Sequence, residues 1–231
     1  MWTDLGTTAL FAGIALAVTA LWKSFGLLTI AFALPRTPPG LIATAVLTPL
    51  PGVPLILLLL LLSRPGNLLI LSEKQRYLAW ALVLIRSASF IVSIAETWRK
   101  GLHGATNRIP ESDNLWLRFS QSSARFLISD VLALLSGFGF LLFLVALARP
   151  DRPPHEFVEG QPRLIRKVAL IVAIIGGLGL MLTVTSQYGL MQYRGQFAGA
   201  PNGLSVLRSV LFGLPGMLAP ILVYSGVRRE C

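Results

Sequence analysis

Six long apolar stretches run through this chain of 231 residues and constrain its fold more than any motif does. A helix needs about 20 mostly apolar residues to cross the hydrocarbon core of a bilayer, and each stretch is near that length. Unpaired backbone groups are costly in hydrocarbon, and the six leucines at 57–62 lack the alternation of a barrel strand, so helices are expected. We predict spans at residues 5–22, 41–62, 78–95, 124–148, 168–186 and 207–227. The sequence thus predicts an all-α, polytopic transmembrane helix bundle, a single integral membrane domain over residues 1–231.

The composition agrees with a membrane environment. Hydrophobic residues make up 54% of the chain and charged residues 13%, which is too little polar surface to cover a soluble core of this length. The formal net charge of +10 would raise the question of nucleic acid in a soluble domain. Here the basic residues lie mainly between the spans, where Lys and Arg meet anionic headgroups, and they form no stripe with interleaved aromatics. We therefore expect membrane lipids, and no nucleic acid, as partners.

The orientation follows only weakly from the loop charges. With six spans, the side that holds both termini carries ten Lys and Arg residues and the other side carries nine, which does not decide the matter. The last two spans are clearer, because residues 149–167 and the tail at 228–229 are dense in Arg and Lys while residues 187–205 contain only Arg194. We expect both termini on the cytoplasmic side of a plasma or inner membrane, although Lys23 after the first span points the other way.

Two ionisable residues inside the predicted spans are the strongest functional signal. Arg86 lies near the middle of the third span, and Asp130 lies within the fourth. A charge at the centre of a bilayer costs about 2.5–3.5 kcal/mol on insertion scales, so both side chains should face protein or water. Adjacent antiparallel helices would allow them to form an intramembrane charge pair. A structural ion pair is the favoured interpretation, and a proton or ion relay is the alternative.

Proline interrupts two of the predicted spans. Pro51 and Pro54 fall in the second span, and Pro215 and Pro220 fall in the sixth. Each proline lacks a backbone donor and frees a carbonyl upstream, so we expect both helices to kink or break. Broken helices in matching halves can mark a transport site. In a three-plus-three repeat, however, the second span should match the fifth, so kinks that serve packing are the favoured interpretation.

Small residues indicate faces where helices approach closely. Ala9, Gly13 and Ala17 are spaced by four on the first span. Gly176, Gly177 and Gly179 cluster on the fifth. Such faces let two helices touch backbone to backbone, within this chain or with another subunit.

Catalytic and metal-binding patterns are missing from the sequence. Its two histidines, His103 and His155, are both predicted in loops, so no intramembrane histidine pair is available to hold haem or a metal. The single cysteine, Cys231, allows no internal disulfide and is either a free thiol or a site of acylation. No nucleophile motif or phosphate-binding loop is present. We therefore predict no catalytic residues, no metal and no cofactor, and expect the protein not to be an enzyme.

Two functional hypotheses remain. The leading one is a non-catalytic integral membrane subunit that packs against other membrane protein subunits in a larger complex. The alternative is a small-solute or ion transporter or channel that uses the kinked second and sixth helices together with Arg86 and Asp130.

Overall fold

A computed structural model describes residues 5–33, 39–47, 49–63, 69, 71–104, 123–149, 162–191 and 203–227. These residues are almost entirely helical, which confirms the predicted all-α class. We number the helices in chain order as α1 (Leu5–Ala33), α2 (Pro39–Leu47), α3 (Val53–Leu62), α4 (Glu73–Gly104), α5 (Ser123–Ala148), α6 (Pro162–Met191) and α7 (Gly203–Gly226).

Within the described ranges, five helices are long and apolar enough to cross a membrane, namely α1, α4, α5, α6 and α7. The chain is therefore a multi-pass integral membrane protein. The second predicted span, at 41–62, differs from the prediction of one helix. It consists of α2, a 3₁₀ turn at Leu50–Gly52, and α3.

Prolines explain where the second span breaks. Pro49, Pro51 and Pro54 have no backbone N–H to donate, so three of the hydrogen bonds of a continuous helix cannot form within six residues. The chain instead makes tighter bonds, with the Gly52 N–H donating to the Pro49 carbonyl at 3.0 Å. Pro54 then stands in the first turn of α3, where a missing donor is tolerated.

Three helices extend beyond their predicted ends. The first continues past Trp22 to Ala33, α4 continues past Ala95 to Gly104, and α6 continues past Ser186 to Met191. The histidine at 103, predicted in a loop, therefore lies in the last turn of α4. At 1.5 Å per residue, the 32 residues of α4 extend for about 48 Å, more than the hydrocarbon thickness of about 30 Å.

The described residues divide into two compact units. The first comprises residues 1–63 and 90–143, and the second comprises 64–89 and 144–231. The prediction of a single membrane domain is not tested by this division, and each unit is described separately below.

In the first unit, α1 packs against α2, the 3₁₀ turn and α3. A Cβ atom on Gly13 would lie 3.4 Å from the Leu59 Cβ, so α3 ends beside the first half of α1. The distance from Gly13 to the end of α1 at Ala33 is about 30 Å at the helical rise, close to one bilayer thickness. The short helices α2 and α3 therefore return along α1 and replace the predicted second span in two pieces.

The fifth helix packs on a different face of α1. A Cβ on Gly139 of α5 would lie 3.1 Å from the Ala12 Cα, and the Thr19 hydroxyl reaches the Leu132 carbonyl at 3.0 Å. At 100° per residue, Gly13 and Thr19 are about 120° apart around α1. The third face of α1 is exposed and apolar, and it carries Leu10, Ile14, Val18, Leu21 and Phe25.

In the second unit, α6 and α7 form the main packed pair. The two helices are also joined by a hydrogen bond from the Gln187 Nε2 to the Ser209 Oγ at 2.8 Å. The start of α4 is held to the end of α7, where the Gln75 Nε2 donates to the Ser225 Oγ at 2.8 Å. An isolated antiparallel bridge between Leu69 and Val227 strengthens the same junction.

Candidate functional site within the membrane helices

The polar groups around Asp130 join α5 to α1. Asp130 is half-buried, and it lies three residues after Leu127, where the apolar span of α5 begins. Its neighbour Ser129 accepts a hydrogen bond from the Trp22 Nε1 at 2.9 Å. The buried Thr19 hydroxyl shares its hydrogen between the Ala15 carbonyl of its own helix, at 2.7 Å, and the Leu132 carbonyl of α5. These bonds hold two membrane helices together beside the carboxylate.

Arg86 lies in α4 with a half-buried side chain whose Nε atom is inaccessible to solvent. Ser89, three residues further on, is buried, whereas Ser93 is exposed. The side of α4 that carries Arg86, Ser89 and Ser93 is therefore only partly enclosed. Arg86 belongs to the second compact unit and Asp130 to the first, and their pairing stays a prediction.

The 3₁₀ turn of the interrupted second span approaches α1 near the level of Trp22, which bonds to Ser129 beside Asp130. Leu60 of α3 lies beside Gly13 of α1, and the 3₁₀ turn comes about nine residues before Leu60 and also contacts α1. Because this part of the chain returns along α1, the turn lies about nine residues beyond Gly13, close to the level of Trp22. However, α3 and α5 occupy different faces of α1. The 3₁₀ turn and Asp130 therefore lie on different sides of α1.

The predicted small-residue faces are mostly used inside the chain. Ala9 is fully buried, Gly13 faces α3, and Ala17 is half-buried. On α6, a Cβ at Gly177 would meet the Met217 Sδ at an ordinary 3.5 Å.

Among the described glycines of the second unit, Gly176 lies nearest to the backbone of another helix. A Cβ atom on Gly176 would lie 3.2 Å from the Gly216 carbonyl oxygen and 3.3 Å from the Met217 Cα. The helical donor for that carbonyl would be the N–H of residue 220, which is a proline and has none. The glycine on α6 thus leaves room for a carbonyl that Pro220 frees on α7.

The sixth predicted span is continuous, unlike the second. Pro215 and Pro220 both lie inside α7, and both are fully buried. The neighbouring helix α6 approaches α7 at Gly216, so the carbonyl group that Pro220 frees faces protein rather than lipid. The two proline-containing segments are therefore not structural equivalents, since Pro51 and Pro54 accompany a break and Pro215 and Pro220 do not.

Gly179 differs from its two neighbours. Among the described residues, no atom beyond the local backbone of α6 lies within 4 Å of the position that its Cβ would occupy. Thr183 and Ser186, one and two turns further along α6, are also exposed, and their hydroxyl groups donate to carbonyls of the same helix. This uncovered face of α6, which we define as Gly179, Thr183 and Ser186, lies within the span Pro162–Gly189.

The described part of the chain shows no cluster of metal-binding side chains. Among those residues, no group of three or more His, Cys, Asp or Glu side chains is placed to hold a metal ion. The tail residue Cys231 and the loop residue His155 lie outside the described residues.

No family model, curated protein or solved structure matches this chain. Its function must therefore be inferred from its own residues.

Some interactions were not anticipated from the sequence. Thr19 and Trp22 lie in an apolar run, and nothing in the sequence indicated that they bond to α5.

The start of α4, in contrast, has a sequence signal, because Ser72 and Gln75 have the spacing of a capping box. The Ser72 N–H donates to the Gln75 Oε1 at 2.7 Å, and the Gln75 N–H faces the Ser72 Oγ at 3.4 Å.

Proposed function

We propose that this protein is a non-catalytic integral membrane subunit that assembles with another membrane protein through helix packing. The observation that carries the proposal is the uncovered face of α6, Gly179, Thr183 and Ser186. In hydrocarbon, small and hydroxyl side chains favour helix association because they let backbones approach closely. The earlier exposed positions of the same helix, such as Leu170 and Ile174, are large and aliphatic and suit contact with lipid.

Photocrosslinking in native membranes tests this proposal. A photoreactive phenylalanine analogue in place of Thr183 should form a covalent adduct with one discrete protein, identified by mass spectrometry. The same analogue at Leu170, exposed on the same helix, should mark only lipid. Adding Gly179→Ile should abolish the protein adduct without disturbing the fold, because no described residue beyond the local backbone of α6 lies within 4 Å of the position of a Gly179 Cβ. Lipid adducts alone at both positions would contradict the proposal.

A second candidate function is a small-solute or ion transporter or channel. The interrupted second span favours it, since discontinuous membrane helices often bind ions or substrates. The 3₁₀ turn and Asp130 lie on different faces of α1, which does not support a shared site. We therefore rank this candidate second. Solute flux by the purified protein in liposomes, lost in an Asp130→Asn variant of normal abundance, would reverse that ranking.

We also propose that both termini lie on the cytoplasmic side. The start of α4 and the end of α7 meet through Gln75 and Ser225, so these helix ends share one side of the second unit. The described cations at the start of α4 and the start of α6 are Lys74, Arg76, Arg163, Arg166 and Lys167. At the opposite ends of α6 and α7, Arg208 is the only described Lys or Arg. This asymmetry favours the cytoplasm for the basic side.

Accessibility of terminal tags tests the orientation. Epitope tags at both ends should be protected from protease in sealed cells and become accessible after permeabilisation. A tag that is cleaved from outside would contradict the proposal.

A further inference from the structure

Several aromatic and charged residues of the first unit lie at the same height along its helices. The Trp22 Nε1 of α1 donates to the Ser129 Oγ of α5 at 2.9 Å, which puts Trp22 level with Asp130, the next residue of α5. Lys23 follows Trp22 on α1 and is exposed. Tryptophan and lysine are typical of the boundary between hydrocarbon and water, because each combines an apolar body with a polar end.

The fourth helix brings a further tryptophan to this height. The Phe90 ring of α4 and the Phe138 ring of α5 have centroids 6.1 Å apart. The first unit combines α4 from Phe90 onward with α5 up to Phe143, so the two helices run in opposite directions there. Trp98 lies eight residues after Phe90, and Asp130 lies eight residues before Phe138. Both are therefore about 12 Å from the ring contact in the same direction, and Trp98 is 73% exposed.

The surface of α1 changes just beyond the same height. Exposed apolar side chains recur every three or four residues along α1, from Leu10 to Phe25. No described residue from Gly26 to Ala31 is exposed, and α2 packs against α1. Apolar side chains can stay uncovered in hydrocarbon, whereas water favours their burial. The surface of α1 that suits lipid thus ends at Phe25, about 5 Å beyond Trp22.

We propose that lipid headgroups surround the first unit at this height, which we call the boundary level and define as Trp22, Lys23, Trp98 and Asp130. Asp130 is then a carboxylate in contact with water and headgroups, and no charge has to be held within hydrocarbon, which is costly. The partner of this surface is the headgroup layer of the bilayer. The assignment holds whether the chain is a subunit or a transporter.

A competing boundary lies further along α1. The helix α2 exposes Val46 and Leu47, and a boundary beyond α2 would bring these side chains into contact with lipid. It would also move Asp130 about 13 Å into hydrocarbon, since nine residues of α1 separate Trp22 from Ala31. The exposed Lys23 would then lie at a depth that disfavours its charge. The boundary level avoids both costs.

Spin labels at exposed positions measure the depth of each helix. The background is the full-length Cys231→Ser chain, which contains no other cysteine, in phosphatidylcholine liposomes. The single-cysteine variants are Leu21→Cys and Ile14→Cys on α1, and Leu127→Cys and Leu135→Cys on α5, and all four positions are exposed. Each label is exposed to a water-soluble nickel chelate and to oxygen, which concentrates in hydrocarbon. The ratio of the two collision rates reports its depth.

We expect the labels at Leu21 and Leu127 to collide with the nickel chelate. The labels at Ile14 and Leu135 should lie about 10–12 Å deeper, the distance that seven or eight helical residues span. Protection of all four labels from the chelate, together with high exposure to oxygen, would place the boundary beyond α2 and overturn the proposal. Exclusion of both reagents at Leu21 and Leu127 would indicate a protein cover and would also overturn it. Access of the chelate on only one of the two helices would contradict a shared boundary level.

Discussion

The close approach of α6 and α7 at Gly176 gives a quantitative prediction for Gly176→Ala. The added methyl group would lie 3.2 Å from the Gly216 carbonyl oxygen and 3.3 Å from the Met217 Cα. Both are backbone atoms of a packed helix and cannot rotate away. An extra methyl in a packed contact costs about 1–3 kcal/mol, whereas alanine in place of glycine inside a helix contributes about 0.5–1 kcal/mol. We therefore expect a net loss of up to about 2.5 kcal/mol in the free energy of unfolding.

Thermal unfolding of the purified protein in detergent, followed by the loss of monodisperse protein, would measure this effect. For a chain of this size the expected shift is roughly 2–4 °C per kcal/mol. Gly179→Ala is the matched control, because it is the same substitution in the same helix with nothing within 4 Å of the new methyl group. That variant should be as stable as the unmodified chain or slightly more stable. Gly177→Ala, which meets only the flexible Met217 side chain at 3.5 Å, should lie close to neutral.

The ranking of the three variants is the decisive result. If Gly176→Ala melts at the same temperature as Gly179→Ala, then the two backbones do not pack as closely as the structure shows. The same outcome would remove the basis for treating Gly176 as the residue that accommodates the carbonyl freed by Pro220.

Three further predictions concern polar contacts. Thr19→Val removes the hydroxyl that links α1 to Leu132 while keeping the side-chain volume, and should cost about 0.6–1.7 kcal/mol in unfolding experiments in detergent; an unchanged stability would show that the bond to α5 contributes nothing. Ser72→Ala removes the capping side chain at the start of α4 and should cost about 1 kcal/mol, measured in the same way; a stability equal to that of the unmodified chain would show that the cap contributes nothing. Asp130→Asn should lower stability or assembly, read from the amount of folded protein in membranes; normal abundance combined with lost transport would contradict the structural role that we assign to the carboxylate.

The fold class was predictable because hydrocarbon leaves the chain few choices. Long apolar runs must satisfy their own backbone groups, and a helix is the form that does so within one segment. The break in the second span was also predictable, since Pro51 and Pro54 cannot donate helical hydrogen bonds. The prolines themselves did not predict that α7 would stay continuous where the second span breaks. Pro215 and Pro220 stay inside a continuous helix that packs closely against α6.

The partners of individual residues were the least predictable part. Helical spacing grouped Gly176, Gly177 and Gly179 as one packing cluster, yet the first two face α7 and the third faces open space. Successive residues point about 100° apart around a helix, so a cluster in sequence does not define a single face. Thr19 also looked like an ordinary residue of an apolar run, because its acceptor is a backbone carbonyl 113 residues away that no side-chain pattern reveals.

The hydrogen bond between Gln75 and Ser225 can form only late in the synthesis of the chain. The two residues are 150 positions apart in the chain. At synthesis rates of about 5–20 residues per second, the ribosome adds Ser225 roughly 8–30 s after Gln75. The capping box of α4 can form at once from its own residues. The Gln75 Nε2, however, has no Ser225 hydroxyl to bond until α7 has been synthesised. A ribosome that stalls before α7 would thus leave α4 inserted without its final anchor.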